Sequence, residues 1–313
     1  MPDTSHFPAP PSPLTVYSAA QTAALLDFRA LMDALATASV QAASGEIDSP
    51  VRQVVPLVNG GVMLSMPATA DDIAIHKLVN VQPGNARAGL PTINGLVTAF
   101  EARTGQPLFV LDGPEVTGRR TAAVSMLALR HLLPQGPRHV LLIGAGAQAR
   151  FHVLALHALD SSVRISVRSR SSAALADFCS QHAAQGVQIS PDAADTVADD
   201  VDAVICCTTS SAPVYDEPAR PGRVVIGVGA FKPDMAEIGA QTLSGSTIYT
   251  DEPEGAQHEA GDLLRAGVDW AQVLPLSTLV QQPPDLSAAA VFKSVGYAAW
   301  DLAAARVARA ALA

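Results

Sequence analysis

The stretch Gly144-Ala145-Gly146-Ala147-Gln148-Ala149 has the spacing G-x-G-x-x-A. It follows a short apolar run, Arg138 to Ile143, and opens a helical stretch, Gln148 to Leu159. In that context such a loop binds a dinucleotide. Gly144 would permit the tight turn, Gly146 would let the backbone approach a pyrophosphate, and Ala149 would let the helix pack on its sheet. The free amides at the helix start, around Ala147 and Gln148, would face the phosphates. The next apolar strand ends in Val167-Arg168-Ser169-Arg170-Ser171. An acid at this place would bond a ribose 2′-hydroxyl, whereas guanidiniums and hydroxyls suit a 2′-phosphate. NADP(H) is therefore expected in preference to NAD(H), which the same loop would also accept. No metal chemistry is expected, because the eight histidines show no ligand spacing. Cys179, Cys206 and Cys207 form no CxxC pair and no disulfide framework. Cys206 and Cys207 end an apolar run and read as buried strand thiols, so a reducing cytoplasm is the expected setting.

These residues need a scaffold, and the chain changes rhythm near residue 120. After it, strands are expected at Arg138–Ile143, Val163–Val167, Gly186–Ile189, Ala203–Cys206, Val224–Val228 and Ser246–Thr250, with helices such as Ala173–Ala184 between them. That alternation predicts a doubly wound parallel sheet of Rossmann type. Before residue 120 the pattern is α+β. The later part of Leu14–Gln41 reads as helix, and Val51–Val58 and Gly61–Met66 as strands joined by the hairpin signal Asn59-Gly60. Ile73–Asn80, Gly95–Phe100 and Pro107–Leu111 are further strands, the last preceded by the turn Thr104-Gly105. Phe292–Ala313 lacks proline, is rich in alanine and leucine, and reads as one C-terminal helix. The expected fold class is α/β, a Rossmann unit over 121–291 and an α+β dimerisation and substrate unit from 1–120 with 292–313.

The chain has 313 residues, 49% hydrophobic and 16% charged, enough for two compact units. A formal net charge of -9 argues against nucleic acid or an anionic membrane as the main partner. The sequence holds no run of 18 apolar residues, so no membrane span is expected. Met1–Leu14 is proline-rich without a basic start or an apolar core, and reads as a partly disordered lead-in rather than a signal peptide.

Several further motifs occur in order along the chain. They are Met66-Pro67, His76-Lys77 with Asn85, Gly89-Leu90-Pro91-Thr92, Thr104-Gly105, Leu111-Asp112-Gly113 and Thr117-Gly118-Arg119-Arg120-Thr121-Ala122-Ala123. After the glycine loop come Cys207-Thr208-Thr209-Ser210, Val228-Gly229-Ala230, Glu259-Ala260-Gly261-Asp262 and Phe292-Lys293-Ser294-Val295-Gly296. From about Arg52 to Asp301 the series resembles the ornithine cyclodeaminase/mu-crystallin family.

The resemblance implies a homodimer acting on a small α-amino, α-imino or α-keto acid. It places Lys77 on the family's active-site lysine, Arg120 and Arg52 on carboxylate-binding arginines, and Thr92 on a threonine near the substrate. Two forked guanidiniums and an ammonium can clamp a carboxylate and leave its Cα facing a nicotinamide. Lys77 stands in an apolar strand with Ile73, Ile75, Leu78 and Val79, an unusual place for a merely solvated charge. Thr208, Val228 and Gly229 would complete the cofactor site. His76 reads as a packing or hydrogen-bonding residue, and Asp112 and Glu115 as turn and cap residues. Asp301 matches a family aspartate.

Two positions depart from the cyclodeaminase pattern. Phe231 stands where those enzymes carry an aspartate for the distal amine, with Asp234 three residues further on, and Leu64 stands where the ornithine-specific ones carry a glutamate. Losing both acids favours a cyclic imino acid over a diamino acid. The expected function is an NAD(P)H-dependent reductase of a cyclic ketimine acid of Δ1-pyrroline-2-carboxylate or Δ1-piperideine-2-carboxylate type. The alternatives are an ammonia-releasing ornithine cyclodeaminase, an NADP- and ligand-binding protein of crystallin type without significant turnover, and an amination enzyme for an acyclic acid such as pyruvate.

Overall fold

The computed structural model describes residues 14–194 and 196–313; the expected lead-in, apart from Leu14, lies outside the described residues. Strand β1 (Thr15–Val16) is followed by helices α1 (Ala19–Leu25) and α2 (Phe28–Ser44). Helix α2 begins at Asp27, whose carboxylate accepts from the amides of Arg29 and Ala30, and it buries Phe28, Leu31, Met32, Leu35 and Ala38 on one stripe. Next come β2 (Gln53–Pro56), β3 (Val62–Thr69), β4 (Ile73–Val81), β5 (Ile93–Glu101) and β6 (Pro107–Asp112). They form a six-stranded sheet of order β1-β6-β5-β4-β3-β2. Asn59 takes a left-handed φ of 58° in the turn between β2 and β3, as the Asn-Gly signal requires. The strand β2 is shorter than the expected Val51–Val58 because it lies on the sheet edge and ends at Pro56.

Helix α3 (Gly113–Leu132) leaves this sheet and leads to the second. Asp112 caps it by accepting from the Glu115 amide at 2.8 Å. The second unit runs β7 (His139–Ile143), α4 (Ala147–Leu159), β8 (Arg164–Arg168), α5 (Ser172–Ala183), β9 (Ile189–Pro191), β10 (Ala203–Cys206) and β11 (Val224–Gly227). It continues with α6 (Ala240–Ser244), β12 (Ser246–Thr250), α7 (Pro253–Glu259), α8 (Gly261–Ala266), β13 (Leu274–Pro275), α9 (Leu276–Gln281), β14 (Ala289–Lys293) and α10 (Ala298–Leu312). The eight strands are ordered β13-β12-β14-β11-β10-β7-β8-β9, and their pairings are parallel. Strands β7, β10 and β11 are buried throughout, as a parallel sheet covered on both faces demands.

Three sequence expectations shift. The C-terminal stretch is not one helix. Residues 289–293 form β14, inserted between β11 and β12, and α10 starts only at Ala298. The slot between two parallel strands overrides the local helical composition, and Gly296, at φ +85°, separates strand from helix. The strand expected at Gly186–Ile189 is found at Ile189–Pro191. The boundaries expected at 120/121 and 291/292 fall inside α3 and β14, so both elements run through them.

The first sheet has two unlike faces. Ile73, Ile75, Lys77 and Val79 of β4 are buried on the face where α10 and α3 pack. On the opposite face Val55, Leu78 and Leu96 are exposed, and His76 bonds the Ser65 hydroxyl at 2.8 Å.

Candidate active site

The carboxyl ends of the parallel strands meet the inner face of the first sheet around a cavity of about 780 Å³. Open α/β sheets bind ligands at this edge. Neighbouring strands supply its wall in spatial order: Arg168 at the end of β8 with Ser169 and Arg170 beyond it, Gly144 to Gln148 after β7, Cys207 to Ser210 after β10, Val228, Gly229 and Phe231 after β11, and Ser294 to Gly296 after β14. Arg52, Leu64, Met66, Lys77, Val79, Val81, Ile93 and Arg120 close it from the first unit and α3. The structure thus brings together every expected site residue except one. Thr92 precedes β5 in a loop tied down by its own carbonyl, which accepts from the Gln82 amide at 2.7 Å. It is the next residue, Ile93, whose side chain reaches the cavity.

The phosphate loop has the shape a dinucleotide needs. Gly144 adopts φ 116°, and a Cβ there would stand 2.5 Å from the Cys207 carbonyl oxygen. Helix α4 is capped by Gly146 without a side-chain hydrogen bond, and among the described residues a Gly146 Cβ would meet open space beyond its own chain neighbours. The open amides at that helix start can take an anion. The Nε of Arg168 and the Oε1 of Gln148 are buried without hydrogen-bond partners among the described residues. Behind the loop, His152 is buried; its Nδ1 lies 2.7 Å from the Gln148 carbonyl and its Nε2 2.9 Å from the Ser125 hydroxyl. Burial holds its pKa down at about 4, so it is a neutral brace for α4. These features fit a dinucleotide.

The stretch at the end of β8 is less purely cationic than its sequence implies. Arg168 donates to Asp192 at 2.6 Å, a carboxylate supplied from beyond β9. Arg170 is exposed at the rim. Cys206 is buried within β10, but Cys207 lies one residue past the strand and lines the cavity, a correction to its reading as a buried strand thiol.

At the other end stands a compact ionic group. Lys77 Nζ lies 2.9 and 3.1 Å from the two carboxylate oxygens of Asp301, and Arg120 Nε lies 3.3 Å from one of them. Lys77 and Asp301 are 2% and 0% exposed. Burial lowers the Lys77 pKa to about 8, with Asp301 opposing the shift and Arg120 and Arg52 adding to it. Arg52 donates to the Gly296 carbonyl at 2.6 Å and pairs with Glu259 at 3.1 Å. The Gly296 loop is itself fixed by Asp251, which accepts from the Ser294 hydroxyl and the amides of Val295 and Gly296 at 2.8 to 3.0 Å. Asp301, Glu259 and Asp251 are thus partners that sequence motifs touched without a role, or, for Asp251, missed.

No Asp or Glu is among the described residues lining the cavity. Phe231 and Leu64 both line it, whereas Asp234 is exposed and does not. Among the described residues no three His, Cys, Asp or Glu side chains gather as a metal site, and no helix is long and apolar enough to cross a membrane.

The model of the ornithine cyclodeaminase/mu-crystallin family matches residues 14–312. The chain belongs to this family. Among its members the chain is 53% identical to the Δ1-pyrroline-2-carboxylate/Δ1-piperideine-2-carboxylate reductase of Azospirillum brasilense over 96% of this chain and 97% of that one. It is 32% identical to the ketimine reductase mu-crystallin of Rattus norvegicus, over 84% and 85% of the two chains. Thermococcus litoralis Δ1-pyrroline-2-carboxylate reductase, solved with NADH and L-proline, shares the fold at a TM-score of 0.85 and 23% identity, over 95% and 97% of the two chains.

Proposed function

We propose that this family member is an NAD(P)H-dependent reductase of a small cyclic ketimine acid, of Δ1-pyrroline-2-carboxylate or Δ1-piperideine-2-carboxylate type. The observation that carries this reading is the cavity's charge: Arg52, Lys77 and Arg120 line it, and among the described residues no Asp or Glu does. Such a pocket suits a monoanion and offers nothing to the distal ammonium of a diamino acid. The names of the relatives that are 53% and 32% identical support the same chemistry.

Arg120 and Arg52 bind the substrate carboxylate, and Asp301 fixes Arg120 and Lys77 so that their free N–H groups face the cavity. Lys77, held largely as ammonium near neutral pH, donates a hydrogen bond on the imine side and keeps that nitrogen protonated. Val79, Val81, Ile93, Leu64 and Phe231 exclude water and hold the ring. The reduced nicotinamide, when bound, supplies the hydride that adds to the C=N carbon. Oxidation of NADPH and NADH is followed with both cyclic imino acids, with pyruvate plus ammonia, and with ornithine as the lyase control. The expected result is fast oxidation with a cyclic imino acid and negligible ammonia from ornithine. Faster ammonia release than imine reduction would reverse the reading, and tight NADPH binding without any turnover would favour a binding protein.

NADPH is the preferred donor in this reading, because Ser169 and Arg170 offer a hydroxyl and a guanidinium to a 2′-phosphate. The loop at Gly144–Gln148 takes the pyrophosphate of either dinucleotide, so NADH is also used. The exposed Val55, Leu78 and Leu96 face suits a second copy of the chain, which would cover an apolar sheet surface. Light scattering should give about twice 32.3 kDa; the monomer mass at micromolar concentration would refute the dimer. The free thiols of Cys179, Cys206 and Cys207 suit a reducing, cytoplasmic setting.

A further inference from the structure

A second buried ionic group lies behind the middle of the cavity. Glu237 is 0% exposed, and its carboxylate collects four donors from two loops. It accepts from the Thr208 amide, from the Thr208 hydroxyl at 2.9 Å, and from the amides of Gly229 and Ala230 at 2.6 and 3.0 Å. Those loops follow the adjacent strands β10 and β11, and Thr208 and Gly229 both line the cavity. They also touch directly, since a Cβ on Gly229 would stand 1.9 Å from the Thr208 carbonyl oxygen. One carboxylate therefore fastens two loops into a single wall.

Four converging N–H and O–H donors call for an ionised acceptor. Glu237 is backed by Asp262, which accepts from the Glu237 and Ile238 amides. Asp262 also pairs with Lys293 at 2.8 Å, and both are fully buried. Burial raises the Glu237 carboxyl above its ordinary value, with Lys293 and the Thr208 amide pulling it back. Burial also pushes the neighbouring Cys206 and Cys207 thiols well up, so they add no charge. Two carboxylates against one ammonium leave one negative charge in excess behind this wall.

A dinucleotide anchored at Gly144–Gln148 and reaching towards Arg52, Lys77 and Arg120 must lay its nicotinamide half over Thr208 and Gly229. The ring is cationic when oxidised and neutral when reduced. We infer that Glu237 is a positioning residue that holds the wall under the nicotinamide and that its charge favours the oxidised dinucleotide over the reduced one. This bias pulls hydride transfer towards the substrate. The inference rests on the dinucleotide reading of the cavity.

The test is the ratio of the Kd for NADP+ to the Kd for NADPH, measured by calorimetry on the full chain without substrate. In Glu237→Gln the ratio should rise roughly tenfold, the size expected of one unit charge acting through about 10 Å of protein. Asp262→Asn, which leaves the four donors on Glu237 in place, should move the ratio the same way. A purely structural role would weaken both forms alike. An unchanged ratio in either variant, once circular dichroism shows it folded, overturns the inference. Failure of the wild-type chain to bind either form would overturn it together with the dinucleotide reading.

Discussion

Two buried ionic groups face the same cavity with opposite surpluses. In the first, Lys77 and Arg120 share one carboxylate, Asp301, and one positive charge is left over. In the second, Asp262 pairs with the one ammonium, Lys293, while Glu237 is bonded by the Thr208, Gly229 and Ala230 donors, and one negative charge is left over. Taking charges out of water is expensive, and such groups seldom add stability over apolar packing. Their sense is visible in what each surplus meets. The positive one borders the space assigned to a carboxylate, and the negative one backs the space assigned to a ring that becomes cationic. Each group is a socket whose missing charge arrives with a ligand.

Removing the carboxylate of the first group should have the largest effect. Asp301→Ala leaves two buried cations without their partner and is expected to lower unfolding free energy by about 3–5 kcal/mol, read from urea denaturation. A loss below about 1 kcal/mol would mean that the pair behaves like a surface bridge. Next comes Lys77→Ala, which should reduce kcat/KM about 10²–10³-fold while leaving the NADPH Kd within about twofold, since Lys77 stands apart from the phosphate loop. An equal loss of cofactor affinity would break the division of labour between the two groups.

Acidity sharpens the comparison further. The Lys77 pKa of about 8 predicts that kcat/KM declines as pH rises through 8, because the ammonium that holds the substrate is lost. Asp301→Asn removes the group that opposes the downward shift, so its residual activity should decline at lower pH. The stability linkage has the opposite sign. Between about 8 and the ordinary value of 10.5 the unfolded chain binds a proton that the folded chain does not, so this residue's contribution rises with pH there. Comparing wild type with Lys77→Met across that window should show the wild type gaining relative to the variant as pH increases. A smaller effect is expected for Arg52→Ala, because Arg52 already bonds Glu259 and the Gly296 carbonyl: KM for the imino acid should rise about tenfold, one lost charge-assisted hydrogen bond. The smallest is expected for Arg170→Ala, an exposed residue, with a roughly threefold to fivefold weaker NADPH Kd and an unchanged NADH Kd.

How much of this was legible in the sequence differs between the two groups. The phosphate loop, its strand and its helix follow a local rule, so Gly144, Gly146, Ala147 and Gln148 could be placed from spacing alone. Lys77 was conspicuous because it interrupts an apolar strand. Its partner Asp301 sits in an alanine-rich helix 224 residues away, where nothing local sets it apart from an ordinary helix acid. Glu237 lies in a loop and acts through backbone amides, a signal that side-chain patterns do not carry. Asp192 was invisible for a different reason: its side chain reaches Arg168 across neighbouring strands, a pairing that only the sheet order sets. The error at Phe292–Ala313 has a related cause. Ala289–Lys293 becomes a strand because β11 and β12 present unpaired edges on either side of it, and a composition average over Phe292–Ala313 has no access to those edges.

Helix α3 carries one more consequence. It starts at the end of the first sheet, bears Arg120 near its middle, and packs on α4 and against β11 and β14 of the second sheet. The two units are therefore not cassettes joined by a linker. A chimaera that exchanged dinucleotide halves at residue 120 would splice a helix through the turn that aims Arg120, whereas a junction before Asp112 would carry the whole rod across intact. Modular recombination in this architecture has its natural seam at the foot of that helix.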